Sequence, residues 1–185
     1  LVASDPELAS MFCTTFAILD ADRDQTALVE RLGLDDLGKL VTSEAKPQLA
    51  DHENATAVQS GIRRSLGPIL ALFRGQIPSN FKEAAGRLQR LAVIPCAGLE
   101  ITYSYKGETR TASSEAHLIV ATEQVGRARR RIGTAYVTVD TNGEVNLYTL
   151  GRRLAIYLDS PTLADGFAIL LRNPADHRYL SAQQI

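Results

Sequence analysis

The most charged segment of the chain is residues 126–133, where four of five consecutive positions are arginine. A guanidinium group pairs with a carboxylate or a phosphate through two parallel hydrogen bonds, so the segment predicts contact with an anionic partner. The segment contains no aromatic residue for base stacking, which favours an acidic protein over single-stranded nucleic acid. A solvated loop between two strands is favoured over either kind of partner. The residues expected to bind are Arg127, Arg129, Arg130 and Arg131, with Arg152 and Arg153 as neighbours.

A second charged segment imitates part of a calcium-binding loop. Asp20, Asp22 and Asp24 have the spacing of the first three ligands. However, Gln25 stands where the sharp turn needs glycine, and Arg31 stands where the bidentate glutamate belongs. We therefore expect an acidic loop in which Asp24 caps a short helix, and no metal or cofactor.

The chain has no complete set of residues for catalysis. Ser113 and Ser114 lie near His117, but no Gly-x-Ser-x-Gly elbow is present, and neither a P-loop nor a Gly-x-Gly-x-x-Gly motif occurs. His52 and His177 stand far from His117, without metal-ligand spacing. An enzymatic function would need a pocket that unites His117 with a serine or an acid. The sequence predicts a protein that is not an enzyme.

Composition and charge are those of a globular protein with an uneven charge distribution. The chain has 185 residues, 45% of them hydrophobic, and a net charge of -1. Residues 1–60 hold 4 basic and 11 acidic side chains, whereas residues 61–153 hold 14 basic and 7 acidic ones. This segregation suits either attraction between parts of the fold or steering of an anionic partner to the middle of the chain.

Cysteine usage and hydropathy indicate the cellular compartment in which the chain is expected. Cys13 and Cys96 are the only cysteines, which indicates free thiols in a reducing, cytoplasmic setting. No apolar run in the sequence has the length of a membrane span, so no membrane partner is expected.

The helices and strands that the sequence predicts around these residues indicate an α+β fold. We expect a helical subdomain over residues 1–94 and an antiparallel sheet with closing helices over residues 95–185, or one continuous domain. Residues 42–53 are polar and include Pro47, which predicts an exposed connection. Apolar residues at helical spacing predict helices over residues 5–19, 24–32, 36–41, 54–73, 78–91 and 160–173.

The sheet is expected in the second half of the chain. Apolar and polar residues alternate over 99–105, and Lys106-Gly107 then turns the chain into a strand over 108–112. Another strand is expected over 117–121. Asn142-Gly143 predicts a tight hairpin between strands 136–139 and 145–148, followed by a helix that ends near Leu158.

Three segments carry a family resemblance. They read LGLDDLGKLVTSEAKP (32–47), RLAVIPCAGLEITYSYKG (90–107) and LGRRLAIYLDSPTLADGFAILLRN (150–173). In their order of hydrophobic units, strand pair and Leu-Ala-Asp helix they resemble large sacsin-like and plant NO VEIN-like proteins. Such proteins carry an Hsp90-type (GHKL) ATPase domain near their beginning.

The resemblance implies a position downstream of that ATPase domain. The Asp-x-Gly-x-Gly turn of the ATPase signature is absent here, so no nucleotide-binding residue is carried over. The family implies a non-catalytic scaffold or interaction module of chaperone-like machinery, with a protein partner or the ATPase domain of the same polypeptide as its target. The alternative is an accessory nucleic-acid-binding domain that uses the basic middle section.

Overall fold

The computed structural model describes residues 2–3, 6–14, 16, 19–20, 37–125 and 128–176. It confirms the α+β class. The helices are α1 Pro6–Phe12, α2 Leu37–Leu40, α3 His52–Gln76, α4 Phe81–Gln89, α5 Leu147–Tyr157 and α6 Ala164–Arg172. The strands are β1 Val2–Ala3, β2 Leu19–Asp20, β3 Thr42–Leu49, β4 Ala92–Tyr105, β5 Glu108–Ser113, β6 Ala116–Val125 and β7 Ala128–Thr138. Short 3₁₀ turns at Pro78–Asn80 and Pro161–Leu163 lead into α4 and α6.

The chain divides into two compact units, residues 1–44 with 102–112 and residues 45–101 with 113–185. Strand β4 includes residues 94 and 95, between which the sequence placed its boundary, and the two expected subdomains stay a prediction. Residues 1–94 are also not purely helical. Strand β3 occupies most of the segment that was expected to be an exposed connection, and its residues alternate between exposed and half-buried until the last two, which are both exposed.

The first unit contains an aromatic cluster and a tight hairpin. The rings of Phe12 and Phe16 meet the Tyr105 ring edge-on, at centroid distances of 6.4 and 5.1 Å. Lys106 and Gly107 both have positive φ, 48° and 85°, as a two-residue hairpin turn between β4 and β5 requires. The predicted turn is therefore confirmed. Helix α1 ends at Phe12 rather than near residue 19.

Parts of the sequence predictions fall outside the described residues. Asp20 belongs to β2, whereas the rest of the calcium-like loop and the helix expected over 24–32 lie outside the described residues. Residues 177–185, with His177, lie outside them as well.

The sheet is mixed rather than antiparallel as predicted. Its strand order is β3-β4-β7-β6, and β5 pairs with β4. Strand β7 is antiparallel to β6 but parallel to β4, with Ala92 beside Thr134. The reason is topological. Strands β5 and β6 stand between β4 and β7 in the chain and run opposite to β4, and the chain then reverses again, so that β7 runs parallel to β4.

The second unit has the larger hydrophobic core, which α3, α5 and α6 build with the sheet. Helix α3 extends beyond the predicted bounds 54–73, and it begins at the N-cap Asp51, whose carboxylate accepts a 2.9 Å hydrogen bond from Asn54 N. The largest side chains buried in this core are Ile69, Phe73, Leu88, Val137, Leu150, Leu154, Phe167 and Leu170.

The hairpin expected around Asn142-Gly143 is reduced to its turn. Gly143 has φ 79°, and Asp140 Oδ1 accepts hydrogen bonds from the backbone of Asn142 and Glu144. Strand pairing beyond the turn is limited to one antiparallel bridge, Val139 to Val145. The predicted strand 145–148 is wrong because Asn146 caps α5, accepting a 3.0 Å bond from Thr149 N. The end of α5 beside Leu158 is as predicted.

Candidate functional site

Helix α4 presents charged side chains along one face. Glu83 and Arg87 lie four residues apart on the helix, and Arg90, its C-cap residue, follows three residues later. The connection from α4 to β4 is only two residues long, and β4 lies beside β7. This short connection brings the end of α4 next to the start of β7, where Arg90 Nε donates a 3.4 Å hydrogen bond to Arg131 O.

Arg87 is the buried centre of this arrangement. It is 6% exposed, and its Nη1 donates 2.7 Å hydrogen bonds to Tyr157 O and to Asp159 Oδ2. Its Nη2 donates to Glu83 Oε1. Burial acts to lower the pKa of Arg87, but the bonds to Asp159 and Glu83 outweigh it and raise this pKa above its usual value. The guanidinium is therefore held charged and fixed in direction.

Asp159 is held in place by the end of α5. Its φ of 55° lies in the left-handed region, where aspartate is tolerated better than most residues. Ser160 N donates to Ala155 O at 2.8 Å, as in a helix end that reverses through a left-handed residue. The Asp159 carboxylate consequently reaches Arg87 and lies 3.6 Å from Arg131 Nη1.

Tyr157 packs beneath the Arg87 guanidinium, whose carbon lies 6.0 Å from the centre of the tyrosine ring. A Cβ atom on Gly133 of β7 would lie 2.8 Å from the Tyr157 ring, so only glycine lets the ring rest on the strand. The Tyr157 hydroxyl donates a 3.3 Å hydrogen bond to Arg87 O. Burial raises the pKa of Tyr157, although nearby arginines oppose the shift. The phenol thus stays neutral under the arginines.

These elements form a cleft of about 480 Å³, which we call the arginine cleft. Arg130 and Arg131 of β7 both line it, and both are exposed. Buried Arg87 Nε has no hydrogen-bond partner among the described residues, so one guanidinium donor is left unused beside the cleft. The residues that line the cleft are Glu83, Arg87, Arg90, Thr122, Arg130 and Arg131. The four arginines outnumber the two carboxylates beside them, Glu83 and Asp159, and this excess of positive charge suits carboxylate ligands.

The structure joins only part of the predicted binding set. Arg130 and Arg131 lie together in the cleft, whereas Arg152 and Arg153 are half-buried on α5 and do not line it. Arg129 lies on β7 opposite Gln124, and Arg127 lies outside the described residues. The expected loop is therefore wrong for residues 129–131, because β7 already begins at Ala128.

Sequence reasoning missed Arg87 and Arg90. The pair Glu83 and Arg87, four residues apart on the helix predicted over 78–91, was the available signal. Nothing in the sequence relates this pair to Asp159, which is 72 residues away from Arg87.

A larger polar groove of about 910 Å³ lies near the turn at Asp140. Its lining includes Ser113 and Ser114 but not His117, which is buried in β6. The Ser114 hydroxyl donates to Ala116 O at 3.1 Å. The groove therefore does not unite a serine with the histidine. We place the candidate site in the smaller arginine cleft, because charged groups from separate elements converge there.

The described part of the chain holds neither a group of metal ligands nor a helix that could cross a membrane. No three His, Cys, Asp or Glu side chains in it are grouped to hold a metal ion. No helix in the same ranges combines the length and the apolar character needed to cross a membrane. Comparison with protein-family models, curated proteins and solved structures finds no match to this chain.

Proposed function

We propose that this chain is a non-catalytic interaction module whose arginine cleft docks an acidic segment of a protein. The segment belongs to a separate partner or to the ATPase domain of the same polypeptide. One observation carries the proposal: Arg90, Arg130 and Arg131 line a single cleft together with Arg87, whose charge Glu83 and Asp159 already balance. Arginine suits such contacts because its planar fork binds a carboxylate through two hydrogen bonds.

The wider setting of the proposal is a scaffold. The three segments that resemble sacsin-like and NO VEIN-like proteins support a module downstream of an Hsp90-type ATPase domain. In that setting the cleft links the module to neighbouring parts of the machinery by charge. Docking of this kind needs no reactive group, in keeping with a function that is not enzymatic.

An acidic protein segment fits the cleft better than nucleic acid does. Glu83, Arg87, Arg90, Thr122, Arg130 and Arg131 include no aromatic ring on which a base could stack. The carboxylates of an acidic protein segment, by contrast, can each pair with a separate guanidinium of the cleft. Nucleic acid is the second candidate ligand that the sequence indicates, and the binding titration distinguishes it from an acidic protein segment.

The test is a binding titration with a fluorescein-labelled decaglutamate and the full 185-residue chain. We expect Arg130→Ser/Arg131→Ser to weaken binding about tenfold or more, since it removes two charge-assisted contacts of roughly 1 kcal/mol each. The matched control is Arg63→Ser/Arg64→Ser, which removes two exposed arginines of α3 outside the cleft. The control should change affinity by less than about threefold, through net charge alone.

Two outcomes would overturn the proposal. Equal weakening by both double variants would show that decaglutamate responds only to net charge. Tighter, cleft-dependent binding of a ten-nucleotide oligothymidylate, with a steep loss as salt rises, would favour the nucleic-acid function instead.

A further inference from the structure

Strand β6 forms an edge of the sheet. It spans Ala116–Val125 and, in the described part of the chain, pairs only with β7. Its second half is open to solvent: Val120 is 45% exposed, and the next four residues are exposed as well. An edge strand offers a row of backbone donors and acceptors that an extended segment can use.

The pairing with β7 defines which backbone groups face outward. Thr138 N donates a 2.8 Å hydrogen bond to Glu115 O, which makes these opposed residues a hydrogen-bonded pair. Hydrogen-bonded and non-hydrogen-bonded pairs alternate along an antiparallel ladder. The unbroken register therefore turns the N–H and C=O groups of Leu118, Val120 and Thr122 away from β7, toward the open edge.

The two edges of the sheet differ in protection. Strand β3 at the other edge carries Lys46 and Pro47, residues that discourage further strand pairing. Strand β6 has neither lysine nor proline along its ten residues. Of these two edges, the edge of β6 is therefore the one that is open to further strand pairing.

The open edge runs beside the arginine cleft. Thr122 stands opposite Arg131 in the β6–β7 register, and both residues line the cleft. A strand added outside β6 would lie two strand spacings from β7, or roughly 10 Å. An arginine and a glutamate side chain together span that distance across the small Thr122.

We infer that the acidic partner segment binds as an added β-strand along the open edge of β6 near Val120 and Thr122. This inference rests on the proposed function. Every second side chain of the segment is acidic and points to Arg131, because side chains alternate between the two faces of a strand. The other face is neutral, because Glu123 of β6 and the opposed Arg130 of β7 offset each other's charge there.

The experiment compares ten-residue peptides of alternating Glu and Thr. One is unmodified, one carries N-methyl groups on the Glu backbone nitrogens, and one carries them on the Thr nitrogens. All three keep the same charge, but each methylated peptide lacks the donors of one strand edge. We expect one of the two methylated peptides to bind about tenfold more weakly than the unmodified one, because it loses several backbone hydrogen bonds.

A protein variant tests the same edge from the other side. Val120→Pro removes an outward N–H while the arginines stay in place, and proline is tolerated where an edge N–H faces solvent. The matched control Val120→Ala keeps that N–H. We expect the proline variant, but not the alanine variant, to bind the unmodified peptide more weakly, because the peptide carbonyl that faces residue 120 loses its hydrogen-bond donor. If the proline variant does not fold, the comparison of the three peptides on the unaltered chain still tests strand addition.

The outcomes separate this inference from the proposed function. Equal binding of all three peptides, still weakened by Arg130→Ser/Arg131→Ser, would overturn strand addition and leave the arginine cleft as a docking site. Failure of all three peptides to bind would instead remove the proposed function. A dimer of the chain that Val120→Pro abolishes and the peptide cannot displace would show that a second copy occupies the edge, which also overturns the inference.

Discussion

Replacing Arg87 by methionine tests whether the buried guanidinium stabilises the fold. Methionine keeps the length and packing of the side chain but leaves Tyr157 O without its 2.7 Å hydrogen bond. An orphaned buried carbonyl costs about 1–3 kcal/mol. The ion pairs with Glu83 and Asp159 add less than about 1 kcal/mol each, because both carboxylates are more than half exposed. We expect Arg87→Met to lower the free energy of unfolding by about 2–4 kcal/mol.

Urea unfolding followed by circular dichroism measures this change. Arg90→Met at the C-cap of the same helix is the control, since Arg90 is half-exposed and its bond to Arg131 O is long at 3.4 Å. It should change the free energy of unfolding by less than about 0.5 kcal/mol. A buried charge can also cost more than its partners return. An Arg87→Met variant as stable as the unaltered chain, or more stable, would refute the stabilising network.

Three further predictions concern other parts of the described chain. Gly151→Ala should lower stability by about 1–3 kcal/mol in thermal unfolding, since the new Cβ would lie 2.7 Å from Ala168 N, whereas Gly61→Ala, with open space around it, should raise stability by about 0.5–1 kcal/mol; a harmless Gly151→Ala would contradict the close packing of α5 on α6. Because the pKa of Tyr157 is raised in the folded state, the neutral phenol contributes fully to folding stability below the unfolded pKa near 10.0, and this contribution is lost as the pH rises above that pKa. The free energy of unfolding of Tyr157→Phe should therefore fall less than that of the unaltered chain between roughly pH 10 and 11. Exposed Cys13 should react at once with a disulfide reagent, and Cys96, buried and with its pKa raised by burial, only after unfolding; rapid reaction of both thiols in the folded chain would be evidence against a buried Cys96.

Local patterns in the sequence predicted local structure well. The alternation over residues 99–105 corresponds to buried Leu99, Ile101, Tyr103 and Tyr105 in β4. Lys106-Gly107 forms the expected turn, since both residues adopt the positive φ of a tight hairpin. These features depend on residues within a few positions of each other, which is the range that periodicity and turn chemistry report.

Edge strands and helix caps were harder to predict. Strand β3 was expected to be an exposed connection because it is polar and contains Pro47, but an edge strand accepts both features. Asn146 was expected within a strand, yet its side chain caps α5. In each case tertiary context decided between two structures that the local residues allow.

The cleft depended on contacts that no local pattern contains. Arg87 meets Tyr157 across 70 residues of chain, and Arg90 meets Arg131 across 41. The arginine-rich segment indicated two of the cleft residues, Arg130 and Arg131, but their position on a strand follows from the register with β6. The site is therefore a product of topology, which a single sequence does not reveal.

Arginine side-chain NMR tests the central claim most directly. The Nε–Hε resonances of a ¹⁵N-labelled chain are followed during titration with decaglutamate. If the cleft binds carboxylates, the resonances of Arg87, Arg90, Arg130 and Arg131 shift together and saturate at one concentration, while those of Arg63 and Arg64 stay in place. Shifts spread evenly over all exposed arginines, without saturation, would contradict a defined binding cleft.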